Sequence, residues 1–174
     1  MDFETNSYFN KRILMKDAIF ANAHAIKQAL PKGKTFTLVG GSFDLIHVGH
    51  VHLLKYAASL EDLLVVAVLS DDYTRGYKEV TRPVIIQKQR ALMVVSIRYV
   101  DFVYISNVSS SAIETVDILK PNSVVFGDET RYSEKMRERM ANIRRISPQT
   151  KVKLLPRYNE EKISTSNIIE KIRS

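Results

Sequence analysis

Apolar and polar positions along the chain fall into short blocks of two kinds. Ile19, Ala23, Ile26 and Leu30 recur at helical spacing, and Pro31-Lys32-Gly33 stops that helix. From there apolar runs and helical periods alternate. Phe36–Val39, Leu63–Leu69, Val100–Ile105, Ser123–Phe126 and Val152–Leu155 read as strands. Leu63–Leu69 is apolar at every position, as a strand buried on both faces should be. Between and after the strands, Val48–Leu60, Gln87–Ile97, Ser111–Leu119, Ser133–Ile146 and Thr165–Arg173 read as helices. Strand and helix alternating five times predict an α/β fold, with right-handed crossovers and a five-stranded parallel sheet covered on both faces. Residues 1–34 are expected to form an N-terminal helical extension, and residues 35–174 the main domain. There is no internal repeat.

In such a sheet a ligand sits beyond the carboxyl ends of the strands, where the strand order reverses. The loops to read are therefore residues 40–50, 70–78, 106–109, 127–131 and 156–166. The first of them, Gly40-Gly41-Ser42-Phe43-Asp44-Leu45-Ile46-His47-Val48-Gly49-His50, says most. Its glycines let backbone come close to a ligand. His47 and His50 straddle a helix start and share one face. A helix N-terminus attracts phosphate, and Gly49 removes a side chain that would hold one off. Two imidazoles there can donate to a phosphorus centre as charge builds on it. The plainer alternatives are helix-start histidines or metal ligands. No Cys and no third clustered His support a metal site. Gly33-Lys34-Thr35 imitates the end of a phosphate-binding P-loop, but that motif needs glycine where Gln28 stands.

Composition narrows the reading. The 174 residues suit one domain, and an apolar share of 45% excludes a disordered chain. Zero Cys excludes disulfides, thiolate catalysis and Cys-based zinc. The net charge of +7 makes polyanionic partners plausible. Within it, residues 131–145 hold Arg131, Lys135, Arg137, Arg139, Arg144 and Arg145 against Glu134 and Glu138. A nucleic-acid-binding module using that helix is the alternative of another class, but stacking aromatics beyond Tyr132 are missing, and a solvated face explains it better. The N-terminus shows no signal peptide and the longest apolar stretch cannot span a bilayer, so a cytoplasmic protein without a membrane partner is expected.

The loop G-S-F-D-x-x-H-x-G-H resembles the H-x-G-H signature of cytidylyltransferase-type nucleotidyltransferases, a Rossmann-like fold. Three later segments are similar to the same family. They are Gln87–Val103, with Ile97-Arg98-Tyr99-Val100-Asp101; Val125–Glu129; and Arg157 with Ile163–Ile169. Arg157 stands two residues further from the closing run than the family spacing. The resemblance covers residues 36–172. It implies transfer of a nucleotidyl group from a nucleoside triphosphate to a small phosphorylated alcohol or sugar, releasing pyrophosphate, with no side-chain nucleophile.

The resemblance also implies roles. His47, His50 and Lys78 would be catalytic. Gly41, Ser42, Phe43, Asp44, Gly49, Arg90, Gly127, Asp128, Arg157, Ser164, Thr165 and Ser166 would form the nucleotide site, Asp44 by orienting the loop or the histidines, with simple N-capping the plainer reading of Ser164, Thr165 and Ser166. Lys78 and Arg98 would bind the phosphorylated substrate, and Arg75 and Arg82 are weaker candidates. Mg²⁺ would come with the triphosphate and needs no protein ligand. The Ile97–Asp101 run and Arg157 favour CTP, so transfer of CMP from CTP is the expected reaction; the alternative is an ATP-dependent adenylyltransferase, because Thr81-Arg82-Pro83-Val84 and the closing Ser164–Ile169 resemble heptose 1-phosphate adenylyltransferases. Likeness around Arg98–Asp101 implies a homodimer.

Overall fold

The structure, a computed structural model, describes residues 19–77, 81–109, 113–127, 134–156, 158 and 164–174. Its strands are β1 (Ile19–Phe20), β2 (Phe36–Gly41), β3 (Leu63–Leu69), β4 (Phe102–Ser106), β5 (Ser123–Gly127) and β6 (Lys151–Leu155). Its helices are α1 (Ala23–Ala29), α2 (Val48–Ala58), α3 (Asp71–Arg75), α4 (Gln87–Val95), α5 (Ile113–Leu119), α6 (Glu134–Ile146) and α7 (Thr165–Arg173).

All pairings are parallel, in the order β1-β4-β3-β2-β5-β6. The sheet therefore has six strands, where five are expected. The additional one is β1, whose Ile19 and Phe20 pair with Val103 and Tyr104. The helical spacing of Ile19 is misleading because Asn22 starts the helix after it. The Asn22 side chain accepts from Ala25 N at 2.9 Å, satisfying an end amide and fixing the start of α1. Ile26 of α1 is fully buried, and Lys27 Nζ donates to Leu119 O at 2.8 Å on the last turn of α5. Residues 19–34 thus contribute strand as well as helix to the sheet's edge.

Strand periodicity splits the core in two. Val39, Leu64, Val66, Val68, Val103 and Val125 face α2 and α4, meeting Leu54, Ala57, Ala91 and Val94. Leu38, Val65, Ala67, Tyr104 and Val124 face the other way, onto Ile26, Val116, Leu119, Met136 and Ile143. On α6, Met136 and Ile143 are buried while Arg137, Arg144 and Arg145 are exposed, which is the pattern of a helix with one solvated face. No helix among the described residues is long and apolar enough to cross a membrane.

Successive strands run from β2 to β3 and β4 on one side, then to β5 and β6 on the other. The reversal falls at β2, so its carboxyl end opens the crevice where a ligand belongs. The loop carrying His47 and His50 leaves that end. At the opposite end of the sheet, β4 begins two residues later than its apolar run suggests. Asp101 is spent as a clip, accepting from Leu64 N at 2.8 Å while its own amide donates to Leu64 O.

Candidate active site

The loop after β2 is held in an unusual path. Phe43 and Leu45 both have φ of 50°, a left-handed conformation that side chains resist. Packing makes it worthwhile. Phe43 is buried, and its ring lies 5.3 Å from the His50 ring. A Cβ on Gly41 would stand 3.2 Å from Phe43 Cε2, so glycine is what lets that ring close over the strand end. Phe43, expected beside the nucleotide, packs its ring against His50.

His47 is the N-cap of α2, and its ring lies 4.0 Å from that of His50. His47 N donates to His50 Nδ1 at 3.3 Å. A ring nitrogen that accepts carries no proton, so neutral His50 holds its proton on Nε2 as a donor. The first turn of α2 contains no acidic residue, leaving the positive end of its dipole uncompensated. Both histidines are partly accessible. The pair is thus a preorganised donor site for an anion.

Asp44, grouped with the nucleotide-binding residues and expected to orient the loop or the histidines, is fully buried. It accepts from Arg82 Nε at 2.7 Å, from Val84 N at 3.0 Å and from Ile85 N at 3.1 Å. Burial alone would raise its pKa. The Ile85 and Val84 amides and the Arg82 guanidinium outweigh that and hold it below the ordinary carboxylate value. Its main-chain oxygen accepts from Thr165 Oγ1 at 2.6 Å, which docks the start of α7 on this loop.

Arg90, expected to bind nucleotide, has its guanidinium engaged by protein groups. It is fully buried. Nε donates to Ile85 O at 2.7 Å, and Nη2 to Leu69 O at 2.8 Å and Asp71 Oδ1 at 2.6 Å, while Nη1 donates to Ser42 O. One guanidinium thereby fixes the carboxyl ends of β2 and β3 relative to α4.

Of the three residues opening the last helix, two are committed. Ser164 accepts from Asn167 N at 3.1 Å and donates to Asn167 Oδ1 at 2.8 Å, so its hydroxyl is a cap. Thr165 is buried on Asp44. Ser166 is exposed and available. A Cβ on Gly127, at the end of β5, would meet open space. Gly49 lies in the first turn of α2, and Ser42 lies on the loop with its hydroxyl hydrogen-bonded to that of Tyr77. Arg98 falls at the other end of the sheet, before β4, where it is exposed with Cζ 5.7 Å from the Tyr99 ring centroid. The reason is that α4 runs away from the site, so eight residues after Arg90 the chain has crossed the molecule. Lys78, Asp128 and Arg157 lie outside the described residues.

Arg82, Asp71 and Tyr77 also support the loop after β2, Arg82 through Asp44, Asp71 through Arg90 and Tyr77 through Ser42. Asp71 had a usable signal, an acid directly after a strand at the ligand end. Arg82 stands in the Thr81-Arg82-Pro83-Val84 run, and Tyr77 has no signal stronger than its place in a loop. Among the described residues no three His, Cys, Asp or Glu side chains gather as a metal site.

The chain's relatives share this region. A family pattern described as cytidylyltransferase-like matches residues 38–171. The FAD synthase of Thermococcus kodakarensis is 36% identical over 141 residues, covering 80% of this chain and 92% of its own. The bifunctional protein HldE of Campylobacter jejuni subsp. doylei is 34% identical over 165 residues, 95% of this chain but 32% of its own length. Among solved structures, a lipopolysaccharide core biosynthesis protein from Thermoplasma volcanium superposes with a TM-score of 0.63 at 24% identity, over 73% of this chain and 100% of that one. Pantoate-beta-alanine ligase from Francisella tularensis reaches 0.62 at 17% identity, over 87% and 72% of the two chains.

Proposed function

Since the chain belongs to the cytidylyltransferase-like family, a nucleotidyltransferase family, we propose that it joins a nucleoside triphosphate to a small phosphorylated acceptor and releases pyrophosphate. The observation that carries this reading is the His47–His50 pair at the N-terminus of α2, at the switch point of the sheet. An oxygen of the acceptor's phosphate attacks the α-phosphorus in line. The bond to the bridging oxygen breaks, and that oxygen leaves with pyrophosphate and the electron pair. The protein needs no nucleophile of its own. It holds two anions together and supplies donors where negative charge grows. His50 Nε2–H, His47 and the first amides of α2 and α7 serve as those donors. Ser166 adds a hydroxyl, and Lys78 a cation on the acceptor side. Mg²⁺ travels with the triphosphate and neutralises part of its charge.

ATP is the donor this reading favours. The archaeal relatives are named for making FAD, which contains adenine, and Thr81-Arg82-Pro83-Val84 also resembles adenylyltransferases. CTP is the second reading, carried by the Ile97–Asp101 run.

A pyrophosphate-release screen tests both. ATP, CTP, GTP and UTP are each paired with phosphorylated alcohols, sugar 1-phosphates and flavin mononucleotide, with Mg²⁺ present. Turnover with ATP and one acceptor class is the expected result. Silence across every pair would remove the enzyme reading.

A further inference from the structure

Arg82 has a feature its partnership with Asp44 does not use. Its side chain is only 6% exposed, and Nε bonds Asp44 Oδ2. Nη2 is buried and has no hydrogen-bond partner. Enclosing a charged N–H without an acceptor is unfavourable, and such a group in a folded protein calls for an occupant. Arg82 also lines a cleft of about 290 Å³ against the outer face of α7, formed with Ser166, Ile169, Glu170 and Arg173. Residues 166, 169, 170 and 173 follow helical spacing, so one face of α7 makes the wall.

We propose that this cleft is a second anion site, shaped for a phosphate monoester that also carries hydroxyl groups. The two guanidinium groups of Arg82 and Arg173, with the Ser166 hydroxyl, supply donors for phosphate oxygens. The Glu170 carboxylate repels a bare anion, but it accepts from a neighbouring hydroxyl on the same ligand. Ile169 offers a small apolar surface to the carbon chain. The volume suits a ligand of a few carbons. The site depends on neither histidine, and it adjoins the triphosphate region only through Ser166. Its ligand is either the acceptor substrate itself or a free phosphorylated metabolite acting as an effector.

The test uses the full chain carrying His50→Ala, to weaken phosphate binding at the histidine pair, and titrates it with inorganic phosphate and with glycerol 3-phosphate. Adding Arg173→Ala is expected to weaken binding of both about tenfold, the loss of one charge-assisted contact. Arg173 is exposed in the last turn of α7, so the variant keeps the fold. Glu170→Leu, which removes both the charge and the acceptor, is expected to tighten inorganic phosphate and to abolish the preference for glycerol 3-phosphate over it. Titrations that Arg173→Ala leaves unaltered, or a Glu170→Leu protein with the same ligand preference as its parent, overturn the proposal. In the active enzyme, a raised acceptor KM in Arg173→Ala identifies the ligand as substrate. Lost sensitivity to added phosphate identifies it as an effector. If no nucleotide pair turns over, the reaction assignment falls, and the titrations still decide the site.

Discussion

Asp44 and Arg82 form an ion pair inside the protein, 2.7 Å from Nε to Oδ2, with side chains 0% and 6% exposed. Asp44 holds the histidine loop, and the 82–85 segment leads into α4. Removing one member of such a pair leaves the other charged and enclosed, at a cost of about 3–5 kcal/mol. Asp44→Ala is therefore expected to lower stability by about that amount in urea denaturation. A loss under about 1 kcal/mol would show that water reaches the pair.

The same residue sets an acid limit. The amides of Ile85 and Val84 and the Arg82 guanidinium, overcoming the opposing effect of burial, hold the Asp44 carboxyl below its ordinary value of 3.8. The unfolded chain then takes up the proton at higher pH than the native state. The stabilisation is present in full above the ordinary carboxylate value and is lost as the pH falls through the depressed one. Urea unfolding between pH 6 and pH 2 should show wild type losing stability below about pH 4 more steeply than Asp44→Asn.

Arg90 spans the ends of β2, β3 and α4 with donors to three carbonyls and Asp71. Lysine carries the charge but not the planar fork. Arg90→Lys is expected to cost about 3 kcal/mol and to raise the KM for the nucleotide, since the loop it fixes bears the phosphate donors. Thermal unfolding and initial-rate kinetics on one preparation check both effects. Wild-type Tm in the variant would refute the scaffold role.

His50→Ala and His47→Ala should each lower kcat at least about 100-fold, as loss of a transition-state donor does. Because both side chains are partly accessible, stability should change by about 1 kcal/mol or less. Rates within a few-fold of wild type would move the chemistry elsewhere.

Gly41→Ala places a methyl 3.2 Å from Phe43 Cε2, so the ring that supports His50 must give way. A cost of about 1–3 kcal/mol is expected, together with a lower kcat. An unchanged kcat would show that the His50 position does not depend on Phe43.

Fold and chemistry differed in how far they could be read from the chain. The alternation of apolar runs and helical periods yields the layered parallel sheet, because burial on two faces leaves a periodic trace. The sixth strand leaves none: Ile19 and Phe20 are too short a run to declare a period, and only the open edge of β4 makes them a strand. The H-x-G-H loop marks the candidate site because the motif is local, its histidines three apart on one helix start.

What the sequence determined by itself is thus the fold class, the site's address and the histidine pair, all of them encoded in residues close along the chain. Tertiary structure decided which polar side chains are engaged by protein partners. Arg90, Asp44, Ser164 and Thr165 have the chemistry of phosphate or nucleotide ligands, yet their partners here are protein groups, in the case of Thr165 one 121 residues away. Arg82, with little local signal, is enclosed beside a cleft. Burial and long-range hydrogen bonding assign those roles, and neither is a property of a residue's neighbours in sequence.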